Sequence, residues 1–460
     1  MESLFLVLRD RRFRSKLLTI AFPIAVQNLI YFGVSAADTL MLGRVGEIQL
    51  SAAAVANQFS FAFMVISFGV SGGCGVLAAQ YWGAGDKEKV RQIFAFMYRV
   101  MAVLSLSFAS IAFFFPEEIL RIIITDPEVI AYGVDYLRIM GGGYFVWGIT
   151  ASTIGLLRAT GTVKISIVVS LVSLIISVSL NYVLIFGNFG FPALGVTGAA
   201  IGTVTARVCE FIVITVYLFK VEKKIGIGIR DLFCSTKGVT KGFLTHGTPV
   251  VVNEIFWVSA HFLLGVIIGR MGREFVAANA IGGLLVQLVG VVVFGISSAT
   301  GAIIGNTIGE GEHERARQYA NGMLVVSVLL GLMSFAVVQA VRLPLISFYS
   351  LSDTARVYAL QLTHVVSLNM IFMPIAVVSL MGTLRGGGDT KFVMVVDAIF
   401  AWLIAIPLGA LAGLVLHWPI YIVFLILRSE DIFKAAVVLW RVPRGKWLRD
   451  VTQRNVSGAG

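Results

Sequence analysis

Charged residues are scarce in this chain. Only 13% of its 460 residues are charged, while 58% are hydrophobic, and the mean hydropathy is +0.90. Soluble domains contain about 25% charged and about 45–50% apolar residues, and a soluble chain of this composition could not bury its apolar surface. The shortage of charge therefore excludes an ordinary soluble domain and indicates a protein embedded in lipid.

Cysteine is scarce too, and the motifs of hydrolytic and metal-dependent enzymes do not occur. Cys74, Cys209 and Cys234 are an odd number without a CxxC pair, which predicts neither a disulfide framework nor a zinc site. HExxH and GxSxG are missing, and the glycine-rich stretch Arg385–Lys391 has Thr rather than Gly before its lysine, unlike a P-loop. We therefore expect no enzyme and no cofactor. The energy source must be an ion gradient or the substrate's own gradient.

The formal net charge of +11 is concentrated beside the apolar runs. Clusters of this kind are typical of the cytoplasmic ends of membrane helices, and no nucleic-acid-binding motif accompanies them. We expect no nucleic-acid partner, a bacterial-type inner or plasma membrane, and both termini in the cytoplasm. The basic residues fall into three groups: Arg9, Arg11, Arg12, Arg14 and Lys16; Lys220, Lys223, Lys224, Arg230, Lys237 and Lys241; and Arg441, Arg444, Lys446, Arg449 and Arg454.

The first half of the chain recurs 226 residues later. Leu17–Gln92 aligns without a gap with Phe243–Gln318, and glycines such as Gly83 and Gly309 stay in register. Leu157–Lys164 then returns as Leu384–Lys391, at an offset of 227. Chance similarity between hydrophobic helices would not keep glycines, charges and spacing together, so we predict a membrane protein of two similar lobes.

Twelve apolar runs are long enough to cross a hydrocarbon core about 30 Å thick. Six in each half is an even number, so both lobes enter from the same side. We predict an all-α membrane protein of twelve helices in two pseudo-symmetric lobes: an N-lobe at 1–225, a cytoplasmic linker at 226–242, and a C-lobe with a basic tail at 243–460. The runs are 17–40, 50–82, 93–115, 129–157, 163–186, 195–219, 243–268, 275–308, 319–341, 357–384, 391–413 and 418–440.

Charges between the runs support this orientation. The loops predicted to be cytoplasmic carry Arg158 and Lys164 in one half and Arg385 and Lys391 in the other, whereas the opposite loops contain few basic residues. The loop near Arg270 and Arg273 is an exception.

Three acidic residues lie within predicted spans: Asp38, Glu254 and Asp397. An ionisable group near mid-bilayer costs at least about 2.5–3.5 kcal/mol, so each is a functional candidate. Burial disfavours the charged carboxylate, and such a group can exchange a proton or, when charged, bind Na⁺. The alternative is a hydrogen-bond network that serves only helix packing.

Polar and aromatic residues share helix faces with these acids. Glu254, Trp257 and His261 are spaced i, i+3, i+7, and a stripe on the first span leads to Asp38. His261 is either a satisfied interior histidine or a proton relay. The residues that we expect to line a substrate cleft are Gln27, Tyr31, Asn253, Trp257 and His261.

Spans 6 and 12 are each interrupted by charges of both signs. Arg207 precedes Glu210 by three residues, and Arg428 precedes Asp431 by three. Each arginine can pair with its acid on one helix face, which lowers the cost of burial. We expect these four residues to be structural, although span 12 could instead lie partly at the cytoplasmic interface.

The chain resembles prokaryotic multidrug and toxic compound extrusion (MATE) transporters. The resemblance extends from Leu17 to Trp447 and rests on several motifs. They are Pro23, Ala37-Asp38-Thr39-x-Met41-x-Gly43, Gln80-x-x-Gly83-x-Gly85, Leu157-Arg158-Ala159-x-Gly161, Asn181 and Glu254.

This resemblance implies two lobes that open alternately and export cationic or amphiphilic compounds in exchange for H⁺ or Na⁺. Asp38, Asn181 and Glu254 match coupling positions of the family. Where the family has two further aspartates this chain has Ile185 and, at or near the second position, Pro374. We infer that Asp397 supplies the missing charge, and the coupling ion stays open.

Two alternatives remain at this point. One is a lipid-linked oligosaccharide flippase of the same superfamily, which is less favoured because the intramembrane charges without an evident partner are acidic. The other is a receptor or scaffold without transport activity. We expect a monomer whose only other partners are its substrate, H⁺ or Na⁺, and membrane lipid. We also expect Glu254→Gln to abolish gradient-driven efflux without unfolding the protein.

Overall fold

A computed structural model describes residues 10–349 and 352–452 of the chain. Within these ranges all regular secondary structure is helical, and the predicted all-α fold is confirmed. Arg9, Arg454 and the rest of the predicted tail at 453–460 lie outside the described residues.

Three helices of the first half, Arg11–Val45, Glu47–Gly83 and Pro127–Ala159, extend at both ends beyond the apolar runs that predicted them. At a rise of 1.5 Å per residue, the 35 residues of the first helix measure about 50 Å, more than the hydrocarbon thickness. Hydropathy marks only the part in lipid, whereas backbone hydrogen bonding continues through polar residues. The helices are α1 (Arg11–Val45), α2 (Glu47–Gly83), α3 (Lys87–Phe114), α4 (Pro116–Ile123), α5 (Pro127–Ala159), α6 (Lys164–Phe186) and α7 (Val196–Val216).

The second half contains more, and shorter, helices. They are α8 (Lys237–Gly242), α9 (Thr248–Arg270), α10 (Arg273–Gly309), α11 (His313–Ser347), α12 (Asp353–Val377), α13 (Thr390–Ala398), α14 (Ile406–Ala410), α15 (Ile420–Arg428) and α16 (Glu430–Arg441).

Helical turns of the π type extend or join several of these helices. A π turn closes i→i+5 hydrogen bonds, so it holds an extra residue and changes the face on which later side chains lie. Hydropathy does not predict such turns. They are Tyr217–Val221, Phe243–Gly247, Val378–Leu384, Ile399–Ala405 and Leu411–Val415.

Eleven helices in the described ranges are long and apolar enough to cross a membrane. They include Lys237–Arg270 and Thr390–Val415, in which shorter helices are joined by π turns. The twelfth predicted span is formed by α15 and α16, which meet at Ser429 within the charged sequence. The chain is therefore a multi-pass membrane protein, in agreement with the predicted twelve-helix fold.

The helices belong to two compact units. The N-terminal unit consists of Val26–Ala78 and Asp86–Phe243, and in it α5 packs against α3 and α7. The C-terminal unit consists of the residues up to Ala25, Ala79–Gly85, and the residues from Leu244 onward, and in it α12 packs against α10 and α11. The lobe boundaries predicted at 225 and 243 stay a prediction.

Two glycines that correspond in the repeat make a close helix contact within the C-terminal unit. A Cβ atom on Gly83, at the end of α2, would overlap the backbone carbonyl of Asn306 on α10. In return, a Cβ atom on Gly309 would overlap the carbonyl of Gln80. Only glycine permits this backbone approach at either position.

We expect Gly83→Ala to lower the free energy of unfolding by about 1–3 kcal/mol, because the added methyl group meets backbone that cannot rotate away. The measurement is the melting temperature of the purified protein in detergent. Gly283→Ala is the matched control, since its Cβ would have nothing within 4 Å, and alanine favours a helix over glycine. Equal melting temperatures for the two variants would contradict the contact.

The glycine-rich stretch Arg385–Lys391 anchors the C-terminal segment, Val442–Thr452. The Arg449 N–H donates to Gly387 O at 2.9 Å, and the buried ring of Trp447 fills the space where Gly387 has no side chain. Gln80 bonds to both segments. Its Nε2 donates to Gly386 O at 3.2 Å, and its Oε1 accepts from the Val451 N–H at 2.8 Å. The stretch that resembles a phosphate loop therefore binds protein.

Asp389 completes this anchor with charge. Its fully buried carboxylate lies 2.7 Å from Arg441 and 2.8 Å from Arg449. Two of the predicted cytoplasmic basic residues thus also have a structural role.

Candidate functional site

Asp38 and Asn181 meet in the N-terminal unit. Asp38 lies on α1 and Asn181 on α6, and Asn181 Nδ2 donates to Asp38 Oδ1 at 2.6 Å. Asn181 is fully buried, and Gly202 of α7 leaves the room that its amide oxygen occupies. Within the described part of the chain, no lysine or arginine lies within ion-pair distance of Asp38. Its carboxylate is held by a neutral group.

The middle of α1 places Gln27 and Tyr31 beside an arginine of α5. Gln27 Nε2 donates to Tyr31 Oη at 3.3 Å, and Arg158 Nη2 donates to Gln27 Oε1. Arg158 occupies the last turn of α5. The sequence predicted a loop residue, whereas Arg158 lies within the helix and bonds to Gln27; its place on the cytoplasmic side stays a prediction.

Arg207 and Glu210 form the predicted contact on α7. Arg207 Nη1 lies 3.0 Å from both carboxylate oxygens of Glu210, which is fully buried. The same guanidinium lies 4.8 Å from the ring centroid of Trp147 and 5.7 Å from that of Tyr31. Aromatic faces and a carboxylate together offset the burial of this cation.

Glu254 forms an ion pair in the C-terminal unit. Arg385 Nη1 donates to Glu254 Oε1 at 2.7 Å, and each side chain is only 11% exposed. Arg385 follows the π turn Val378–Leu384 and, like Arg158, is a buried partner instead of the predicted loop charge. The two arginines are equivalent in the repeat, but Gln27 corresponds to Asn253, so their partners differ by one position.

Asp397 lies between an amide and an ammonium. Asn253 Nδ2 on α9 donates to its Oδ2 at 2.8 Å, and Lys434 Nζ on α16 lies 2.9 Å from its Oδ1. The same ammonium lies 3.0 Å from Glu430 Oε2. The structure thus brings together two residues predicted from the sequence, Asp397 and Asn253, and two that were not predicted, Lys434 and Glu430.

The prediction that Arg428 pairs with Asp431 was wrong. Asp431 instead accepts a hydrogen bond from Asn369 Nδ2 on α12 at 2.8 Å, and the Arg428 guanidinium lies 5.5 Å from the ring centroid of Phe424. The helix is interrupted at Ser429, and the partner of Asp431 comes from another helix, α12.

Trp257 and His261 make local contacts on α9. Their ring centroids are 4.0 Å apart, and His261 Nδ1 lies 3.2 Å from the Trp257 carbonyl oxygen. Their predicted place in a substrate cleft stays a prediction, as does that of Gln27, Tyr31 and Asn253.

Sequence reasoning did not assign five side chains to these clusters. The repeat carried a signal for two of them, because both arginines occur at the corresponding place in each half. The i,i+4 spacing of Glu430 and Lys434 on α16 was a signal for two more. The five are Arg158, Arg385, Lys434, Glu430 and Asn369.

Both repeats match one family model. The model described as MatE matches residues 23–183 and 249–411.

Curated relatives span nearly the whole chain. The "Probable multidrug resistance protein NorM" of Thermotoga maritima is 24% identical over 449 residues, which cover 94% of this chain and 93% of the relative. The "Uncharacterized transporter YisQ" of Bacillus subtilis is 23% identical and covers 86% and 87% of the two chains.

Solved structures share the fold. A structure described as the outward-facing conformation of a multidrug resistance MATE family transporter has a TM-score of 0.82 at 17% identity, covering 94% of this chain and 96% of that one. A MOP superfamily transporter from Pyrococcus furiosus, whose reversed pocket polarity is said to suggest a different function, has a TM-score of 0.85 at 17% identity and covers 97% and 99%.

Proposed function

This chain belongs to the MatE family of membrane transporters, and we propose that it is an antiporter that exports cationic or amphiphilic small molecules in exchange for H⁺. The multidrug resistance relatives support the export of small molecules. The contact between Asp38 and the uncharged Asn181 is the observation that supports H⁺ as the coupling ion.

Protonation has different consequences at the three candidate acids. Neutralising Glu254 would leave Arg385 buried without its counter-charge, and neutralising Asp397 would remove one of the two carboxylates that contact the buried Lys434. Both changes are unfavourable. Neutralising Asp38 breaks no ion pair, because its partner Asn181 is uncharged. The hydrogen bond can also persist, since the amide of Asn181 can donate to the protonated carboxyl. We therefore assign proton binding to Asp38. Glu254 and Asp397 instead balance the charges of the buried bases Arg385 and Lys434.

Proton and substrate then compete through charge. The ionised Asp38 favours a cationic substrate, whereas the protonated form no longer attracts it. Proton binding also favours the conformation in which the neutral carboxyl is better accommodated, and this difference in affinity shifts the populations of the two access states. Asn181 contributes by fixing the orientation of the carboxylate in both forms.

The clusters of basic residues beside the apolar runs support an orientation by the positive-inside rule. We propose a bacterial-type inner or plasma membrane, cytoplasmic termini and a monomer.

The test is dye efflux from liposomes that contain the purified protein. A pH gradient alone is expected to drive a cationic dye such as ethidium, and a Na⁺ gradient alone is not. Dye movement with Na⁺ only would overturn the choice of ion. A protein that moves no dye under either gradient would favour the flippase or non-transporting alternatives.

A further inference from the structure

Three carboxylates and one ammonium converge in the C-terminal unit. Lys434 Nζ lies 2.9 Å from Asp397 Oδ1 and 3.0 Å from Glu430 Oε2, and Asp431 is the next residue after Glu430. Arg428 stands at the end of the preceding helix, α15. Of these two basic residues, Lys434 is the one that contacts two of the acids directly.

The ammonium is buried together with its partners. The side chains of Lys434, Asp397 and Glu430 are 7%, 10% and 14% exposed. A lysine ammonium is a compact point charge with three donors, and two of them are used by these carboxylates. Such a group is stable in the interior only while it remains paired.

Amide oxygens add to the oxygen-rich character of the cluster. Asn253 donates to Asp397 and Asn369 donates to Asp431, each through Nδ2. The Oδ1 atoms of both asparagines are buried and accept no hydrogen bond within residues 10–349 and 352–452. Carboxylate and amide carbonyl oxygens are the ligands that hard metal cations prefer.

We propose that this cluster is a monovalent-cation site whose cation is the ammonium of Lys434, which takes the place of a dissolved Na⁺. A Na⁺ ion at the same carboxylates would lie beside the ammonium and be repelled by it. The C-terminal unit thus carries its own fixed cation. This inference deepens the proposed function, because it explains how the transporter works without Na⁺.

The test compares the melting temperatures of detergent-purified proteins in NaCl and in choline chloride at equal ionic strength. The wild-type melting temperature is expected to be the same in both salts. Lys434→Met removes the ammonium and leaves the carboxylates, and NaCl is expected to raise its melting temperature by at least about 2 °C over choline chloride. Lys391→Met, at an exposed lysine of the same unit, is the matched control and is expected to behave like the wild type.

A Na⁺-specific rise in the wild-type protein overturns the proposal, as does a folded Lys434→Met protein that gains no Na⁺ response. Lys434→Ala is the second variant, with space for Na⁺ or for added ethylammonium. Recovery of its melting temperature by either cation supports the proposal. If neither variant folds in NaCl, the proposal is also overturned, because Na⁺ should then balance the same carboxylates.

Transport provides a separate readout. In liposomes, pH-driven dye efflux by Lys434→Met is expected to fall in choline and to recover in Na⁺, whereas the wild type is unaffected by the exchange of salts. The melting experiment requires no transport. A wild-type protein that moves no dye would therefore overturn the proposed function, while the Na⁺ response of Lys434→Met would still decide this inference.

Discussion

Asp38→Asn is expected to reduce proton-driven dye efflux to the rate of protein-free liposomes. The variant cannot bind and release a proton at this position, although its amide oxygen can still accept the hydrogen bond from Asn181. No ion pair is lost, since the structure gives Asp38 a neutral partner. The fold and the melting temperature should therefore be maintained.

Two measurements separate coupling from general damage. Exchange of labelled substrate without a gradient is expected to continue in Asp38→Asn, because it does not require proton release. Asp135→Asn, at an exposed aspartate of the same unit, is the matched control and should transport like the wild type. Normal pH-driven efflux by Asp38→Asn would remove Asp38 from the mechanism.

Glu254→Gln is expected to lower the free energy of unfolding by about 3–5 kcal/mol, because it leaves Arg385 buried without its counter-charge. The Nε and Nη2 atoms of Arg385 are buried and make no hydrogen bond in the described ranges, so no other group replaces the carboxylate. The sequence alone predicted that Glu254→Gln would leave the fold intact. The ion pair with Arg385 leads us to expect a loss of stability instead.

The double variant Glu254→Gln/Arg385→Gln is expected to recover much of this loss, since the amides can bond to each other and no charge remains. Thermal unfolding of both single variants and the double variant gives the coupling energy, which should be at least about 1 kcal/mol. The repeat supplies a comparison: Arg158→Gln, whose partner Gln27 is neutral, should have a smaller effect. Additive losses at 254 and 385 would contradict a pair that stabilises the fold.

Much of the fold could be predicted from the sequence, because the length of the apolar runs and the duplicated glycines can be recognised without knowing any three-dimensional contact. The same reasoning selected Asp38, Asn181, Glu254 and Asp397 through the cost of placing polar groups in lipid. The structure then brought Asp38 to Asn181 and Asp397 to Asn253.

The partners of these acids could not be predicted in the same way. Arg158 and Arg385 lie at helix ends, where a long side chain can extend toward water or fold back into the protein, and hydropathy does not distinguish the two. The π turn before Arg385 also changes the face on which its side chain lies. The contact of Lys434 with Asp397 was missed because the two residues come from different helices that are far apart in the sequence.

The anchored C-terminal segment has a consequence for the order in which the protein can be made. Gln80 lies near the end of the second helix, yet its side chain binds the backbone of Arg449 and Val451. The ribosome synthesises these partners about 370 residues after Gln80. The early helices therefore enter the membrane without their final neighbours, and the C-terminal unit reaches its native contacts only after Val451 has been added. The contact between the second helix and this segment is therefore among the last of the unit to form, unlike contacts between neighbouring helices, which can form during synthesis.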